Sequence, residues 1–390
     1  MAIDSIGNKC CGCRACLQKC KFNAISFVTD TYGFEYPEID STRCVNCGAC
    51  EKVCPIINDT YSSDTILCGM AYALDAKTKY NGSSGGLFGV FAESIIAQGG
   101  VVFGAAFDEN LKLKTTKAET LEELIPLYKS KYLLCDTSYQ FSAIETELKK
   151  NRIVLYCSSP CQISALKLYL QKEYDNLLTL DFVCHGVGSQ SLFDKSIAYT
   201  EEQEGIKIKT VTLRYKKLNA SSHYYYYYYY LKDGEFHERT DLYFSFPYYN
   251  AYCKQLVCRD SCYDCKFAAR ERVGDITIGD FHSIEKYHPD IDRFAGVSMF
   301  LVNTPKGQKW FDLIKEKIHW REMDKETIYK NNRFSDEVVI PSEQPAFRES
   351  IANEPFETTV ERFLKPSRDW KKLIYYKAPK FLRKIIMKLR

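Results

Sequence analysis

An α/β core behind a small cysteine-rich module, α+β over the whole chain, is the architecture the sequence predicts. Three observations lead there. The first sixty residues repeat one cysteine spacing. In the middle of the chain, apolar runs alternate with stretches of helical periodicity. One strand–helix–strand unit fits into about thirty residues, the signature of two parallel strands joined by a crossover helix. Composition agrees: 390 residues, 45% hydrophobic and 26% charged, can furnish more than one core.

Charge and hydropathy exclude several classes. The net charge is +3 with the two signs interleaved, which is no nucleic-acid footprint. The opening MAIDSIGNKC has no apolar run of the kind a secretory signal needs, so a cytoplasmic location is expected. GGLFGVFAESIIAQGGVVFGAAF (85–107) is long enough for a membrane span, but it carries Glu93 and Gln98 and is broken at Gly99-Gly100. It reads as a helix, a turn and a buried strand. The 18 cysteines stand in metal-ligand spacings in a long chain, so metal binding is expected rather than a disulfide scaffold.

Cys10, Cys13, Cys16 and Cys20 form C-x2-C-x2-C-x3-C, and Cys44, Cys47, Cys50 and Cys54 repeat it at an offset of 34 residues, followed by Pro55. A short loop wraps three thiolates around one cubane, and the fourth cysteine reaches the other cluster. Cluster one is therefore assigned to Cys10, Cys13, Cys16 and Cys54, and cluster two to Cys44, Cys47, Cys50 and Cys20. Structural zinc rarely uses this spacing. The segment 4–58 resembles a bacterial-type two-cluster ferredoxin. Lys21 stands where that family usually has proline, and Cys11 is an extra thiol, read as a bystander.

The polar stretch 58–65 reads as a linker. VVFGAAF (101–107), RIVLYC (152–157) and LLTLDFVC (177–184) read as strands, and PCQISALKLYLQKEY (160–174) as a helix between the last two. Ser159 is its expected cap and Pro160 its first residue. Cys161 and Cys184 then fall at the carboxyl ends of neighbouring parallel strands, where ligands gather. The helix N-terminus would favour a Cys161 thiolate. Two of Cys258, Cys262 and Cys265 could complete a set of four. Taken singly, the same cysteines also read as a zinc knuckle, solvent-facing thiols or ordinary buried residues.

SSPCQISAL (158–166), DFVCHGVGS (181–189), CRDSCYDCKF (258–267) and GDITIGDF (274–281) are similar to motifs of the coenzyme F420 hydrogenase/dehydrogenase beta-subunit family, in the bacterial branch with a ferredoxin module in front. The plant 7-hydroxymethyl chlorophyll a reductase is a relative. The resemblance implies a third [4Fe-4S] cluster, held by Cys161, Cys184, Cys262 and Cys265. Cys258 is left as the spare thiol and the runner-up ligand. It also implies a flavin, FAD rather than FMN.

By its own residues, NGSSGGLFGVFAESII (81–96) sets Ser83, Ser84, Gly85 and Gly86 at a helix start, where backbone N–H groups can hold a phosphate. The family carries its flavin at the matching SSGG. KSKYLLCDTS (129–138) matches a second family motif, making Lys131 and Tyr132 candidates for contact with the flavin ring or phosphates. His185, next to Cys184, is a candidate proton relay or a donor to the cluster's ligands. Lys131 and His185 are the catalytic candidates. The chain departs from the family at Ser158, Thr115, His282 and Ser283, all expected near the active face.

HYYYYYYYLKDGEF (223–236) reads as a hairpin with tyrosines alternating inward and outward. WKKLIYYKAPKFLRKIIMKLR (370–390) is basic and amphipathic, and could make weak contact with an anionic membrane surface. The expected division is a dicluster domain (1–60), a flavin-binding part (66–145), a part with the third cluster (146–345) and a helical basic tail (346–390). The resulting expectation is an iron–sulfur flavoprotein oxidoreductase. Three [4Fe-4S] clusters and a flavin would link a ferredoxin or another redox protein to a small-molecule substrate, with coenzyme F420 one candidate. The alternative is a non-catalytic electron-transfer subunit of a larger complex.

Overall fold

The computed structural model describes residues 3–60, 64–216, 225–292, 296–332 and 338–365. The basic stretch 370–390, Tyr224 and part of the 58–65 linker lie outside them. In chain order the strands are β1 (Ile25–Thr29), β2 (Glu35–Ile39), β3 (Leu67–Ala73), β4 (Val101–Phe107), β5 (Leu113–Ala118), β6 (Val154–Ser158) and β7 (Leu177–Phe182). They continue as β8 (Lys207–Tyr215), β9 (Tyr225–Lys232), β10 (Glu235–Leu242), β11 (Ile276–Asp280), β12 (Ser298–Val302) and β13 (Ile318–Glu322).

β1 and β2 form the antiparallel hairpin of the N-terminal module. The core is an eight-stranded sheet in the order β13-β3-β12-β11-β7-β6-β4-β5. Its centre is parallel, β4 with β6, β6 with β7, and β7 with β11. Its flanks are antiparallel. The central strands are apolar on both faces because helices cover both. Leu155, Leu178, Leu180 and Phe300 pack beneath the helices Leu87–Ile96 and Pro305–Ile314. Val154, Tyr156 and Leu177 pack beneath Gln140–Lys149 and Pro160–Leu170.

The expected strand–helix–strand unit is β6, the helix Pro160–Leu170 and β7. Pro160 begins that helix as expected. The cap differs: Ser159 makes no capping bond, and its hydroxyl lies instead 3.3 Å from the Cys161 sulfur. The stretch 85–107 folds as helix, turn and β4. No helix among the described residues is long and apolar enough to cross a membrane. β8, β9 and β10 form a separate meander, turning at Asp233-Gly234, both at positive φ. Tyr226 and Tyr228 are buried, while Tyr229 faces outward and stacks on Phe236.

The module sits on the core rather than beside it. Cys11, Cys13, Ala15 and Val53 share one apolar cluster with Phe103, Phe141, Tyr156 and Leu166. Polar contacts pin the seam: the Phe141 N–H donates to Gln18 Oε1 (2.9 Å), Gln18 Nε2 to Thr137 O (2.9 Å) and Thr137 Oγ1 to Cys13 O (2.6 Å). Lys266 Nζ donates to Pro55 O (3.0 Å) and Asn58 O (2.8 Å).

Candidate functional site

The cysteine repeat is also a repeat of backbone conformation. Gly12 and Asn46 have φ of 72° and 55°, and Arg14 and Gly48 have 56° and 69°. These left-handed positions recur at the sequence offset. They turn N–H groups inward: Gly12 N lies 3.3 Å from Cys10 Sγ, and Asn46 N 3.5 Å from Cys44 Sγ. Each loop then enters a short helix, Ala15–Lys19 or Ala49–Lys52. Cys10, Cys13, Cys16 and Cys54 line one small cavity. Burial pushes the Cys16 thiol up to about 12, with Cys10 and Cys54 adding to the effect. Cys50 is raised by burial, with a contribution from Cys20. The second set lies nearer solvent, since Cys47 is exposed and Cys13, Cys16 and Cys54 are buried.

In the core, Cys161, Cys184, Cys262 and Cys265 line a single cavity of ≈ 920 Å³. Burial raises the Cys184 thiol well above its ordinary value, and Cys262, Cys161 and Cys265 each add to the rise. Four half-buried thiols whose ionisation is disfavoured together suit a cationic iron–sulfur core, which supplies the charge that thiolate ligands need. Among the described residues, no three Cys, His, Asp or Glu side chains close around a single ion. Cys258 turns away from the cavity. It is fully buried behind Gly186, where an added Cβ would meet its sulfur at 2.6 Å.

Cys11 is better placed than a bystander. The neighbouring Cys13 and Cys161 thiols both perturb its ionisation, so it lies between the module and the core site. Together with Ile56 it lines both cavities.

The other lining of the large cavity comes from the SSGG and KSKY segments. Ser83, Ser84, Leu87, Phe88, Lys129, Ser130, Lys131 and Tyr132 all face it, as does His185. Gly85 and Gly86 do not. The Gly85 N–H donates to Ser298 Oγ (2.9 Å) and the Gly86 N–H to Ser83 O (2.9 Å). Glycine is required at 85 by packing, because a Cβ there would meet Ala71 O at 2.5 Å. That leaves the first free N–H groups to the residues after Gly86.

Lys131 is half-buried and donates to Tyr128 O (2.5 Å); desolvation pulls its ammonium down to about 7. Tyr132, at φ 60°, stacks on Tyr252 with ring centroids 4.4 Å apart. The Tyr252 hydroxyl donates to Gly186 O (3.4 Å), two residues beyond Cys184. The ring stack thus connects the KSKY wall to the thiol wall.

Three basic residues here escaped the reading of the sequence. Desolvation lowers Lys129 to about 8, with Arg214 contributing. It lowers Lys216 to about 6; that side chain donates to Ser84 O (2.6 Å). Arg214 forms an ion pair with Asp280 and donates to the Tyr132 hydroxyl (3.3 Å). Arg214 has φ 59° within β8, at a break in register against β9. The run LRYK (213–216) was the only sequence signal. Of the four family departures, Ser158, His282 and Ser283 line the cavity, but Thr115 does not; it is buried against Cys135.

Two four-cysteine loops seated on a parallel-centred sheet with a further set of four thiols define an iron–sulfur electron-transfer protein. Comparison with known families specifies it further. Residues 151–326 match the model for the C terminus of the coenzyme F420 hydrogenase/dehydrogenase beta subunit, and residues 9–56 match the 4Fe-4S dicluster domain. Over these residues the chain is similar to that beta-subunit family, with a dicluster domain in front. Among solved structures, one chain of the F420-reducing [NiFe] hydrogenase complex from Methanosarcina barkeri is similar, at 13% identity and a TM-score of 0.44, over 78% of this chain and 93% of that one. No curated protein matches the chain.

Proposed function

We propose that the chain is a flavin-dependent iron–sulfur oxidoreductase with three [4Fe-4S] clusters and one FAD. It would exchange electrons with a ferredoxin-like cytoplasmic partner and act on a small molecule, with coenzyme F420 one candidate. The observation that carries this is the shared cavity: Cys161, Cys184, Cys262 and Cys265, among eight cysteines of its lining, share the same ≈ 920 Å³ with the Ser83–Lys131–Tyr132 wall, within the range of cofactor pockets. The division at 1–60, 66–145, 146–345 and 346–390 is part of the same proposal.

The residues have distinct tasks. Cys161, Cys184, Cys262 and Cys265 hold the core cluster. Ser83, Ser84 and the free N–H groups opening the helix Leu87–Ile96 hold a phosphate, backed by Gly85 and Gly86. Lys129, Lys131 and Arg214 balance the negative charge of the phosphates and of a reduced ring. Tyr132 and Tyr252 exclude water between the ring and the thiols. His185 and Lys131 are the groups able to hold a proton at the cavity wall. When bound, the flavin supplies the step between two-electron and one-electron chemistry. The more exposed set around Cys47 is the side from which a partner's electrons arrive.

A second reading, an electron-transfer subunit without its own substrate, draws on His282 and Ser283, which line the cavity where relatives carry tryptophan and glycine. Anaerobic purification with iron, sulfide, zinc and flavin assays on one sample tests the first reading. About 12 iron and one flavin per chain are expected, four iron to each cubane. About 8 iron without flavin overturns it and favours the second.

A further inference from the structure

Arg259 lies on the loop that carries Cys258 and Cys262, yet its side chain is spent inside the dicluster module. It is 0% exposed. Its Nε donates to Cys10 O (2.6 Å) and its Nη2 to Glu35 O (2.9 Å). Its guanidinium carbon stands 4.1 Å from the centroid of the Tyr36 ring and 5.4 Å from that of Phe34. Nη1 is buried with no hydrogen-bond partner. That nitrogen lies against the ligand loop, since a Cβ on Gly12 would come within 3.5 Å of it.

No carboxylate pairs with this guanidinium among the described residues. The Glu35 carboxylate is taken by Arg14, and that of Asp260 by Arg348 (2.5 Å). A buried, unpaired cation is costly unless negative charge faces it. The neighbouring Cys10 belongs to a set of four thiols. As thiolates around a cubane, such a set carries net negative charge that grows by one on reduction.

We propose that Arg259 is the fixed counter-charge of cluster one and holds its reduction potential up. Its backbone sits on the core-cluster loop and its charge on the cluster-one loop. Cluster one is therefore the station that faces the core, with the Cys11 thiol between the two sites. Reduction adds one electron to cluster one, and Arg259 neither gains nor loses a proton. The inference rests on the assignment of Cys10, Cys13, Cys16 and Cys54 to cluster one.

The test is a redox titration, followed by electron paramagnetic resonance, of the anaerobic full-length chain and its R259Q and R259K variants, with iron and sulfide assayed on each. In R259Q one cluster couple is expected to become about ten-fold harder to reduce, ~59 mV for one electron. R259K keeps the charge and is expected to restore the couple to within about two-fold, ~18 mV on the same scale. R259Q with full iron and no shifted couple overturns the inference, as does an equal fall in R259K. Should R259Q lose iron, R259K decides alone: an unmoved couple supports the counter-charge, and a ten-fold fall overturns it. A Cys13→Ser variant separates the inference from its premise. If it erases the couple that shifted, the cluster assignment stands; if it erases a different one, the assignment itself is wrong.

Discussion

Replacing Arg272 by methionine should both destabilise the core and empty the cluster proposed for it. Arg272 and Asp181 form an ion pair at 3.3 Å, with side-chain exposures of 3% and 0%. Arg272 also donates to Phe182 O (3.3 Å), Phe267 O (3.4 Å) and Ala269 O (3.2 Å). It thereby ties the end of β7, which leads to Cys184, to the loop that follows Cys265. At this separation, two unit charges in a medium of effective dielectric about 20 attract by about 5 kcal/mol. Breaking a buried pair from one side costs about 3–5 kcal/mol, so the two scales agree. Asp181 would keep the Gly274 N–H (3.0 Å) but lose its counter-charge. With a urea dependence of about 3 kcal/mol/M or somewhat more for a chain of this size, the midpoint should fall by about 1 M. On the proposed three-cluster reading, iron should fall from about 12 to about 8 per chain. An unmoved midpoint with full iron in R272M would refute the reasoning, because the pair could then be neither a structural clamp nor a support of the thiols.

The remaining predictions concern the thiols, a half-buried lysine and one glycine. Cys258→Ser should keep all the iron, whereas Cys262→Ser should lose about four per chain by the same assay. Burial lowers Lys131 from 10.5 to about 7, so between those values the unfolded chain holds a proton there that the folded chain lacks. Stability should therefore rise with pH across that window, and K131M should flatten the rise in unfolding measured from pH 6.5 to 9. Gly85→Ala forces a Cβ against Ala71 O and should cost about 1–3 kcal/mol while lowering flavin content, read by thermal melts and absorbance.

The parts legible in the sequence were those written in local spacing. The cysteine repeat announced its loops because a cubane-wrapping turn is made within ten residues. The unit of β6, helix and β7 announced itself through periodicity and length. What stayed hidden depends on residues far apart in the chain. Cys11 meets Cys161 across the seam, and Arg259 reaches Cys10 over 249 positions. Neither has a local pattern, since a lone thiol or a lone arginine looks the same on a surface. Lys129, Arg214 and Lys216 converge from two different elements, so no window contained the basic wall. Gly85 and Gly86 were visible, but their reason was not: the backbone of β3 and the Ser298 hydroxyl occupy the space a ligand was expected to approach. Ser159 carried a good capping residue's identity, yet its hydroxyl went to a neighbouring sulfur.

The shared apolar cluster between module and core has a consequence for how current flows. With Cys13, Ala15 and Val53 seated among Phe141, Tyr156 and Leu166, the module is a fixed conductor and not a swinging carrier. Internal hops between thiol sets then run over constant gaps and should be indifferent to viscosity and ionic strength. On the proposed wiring, only the meeting with an outside redox partner, at the solvent-facing Cys47 end, is a collision between charged bodies, and salt should tune that step alone.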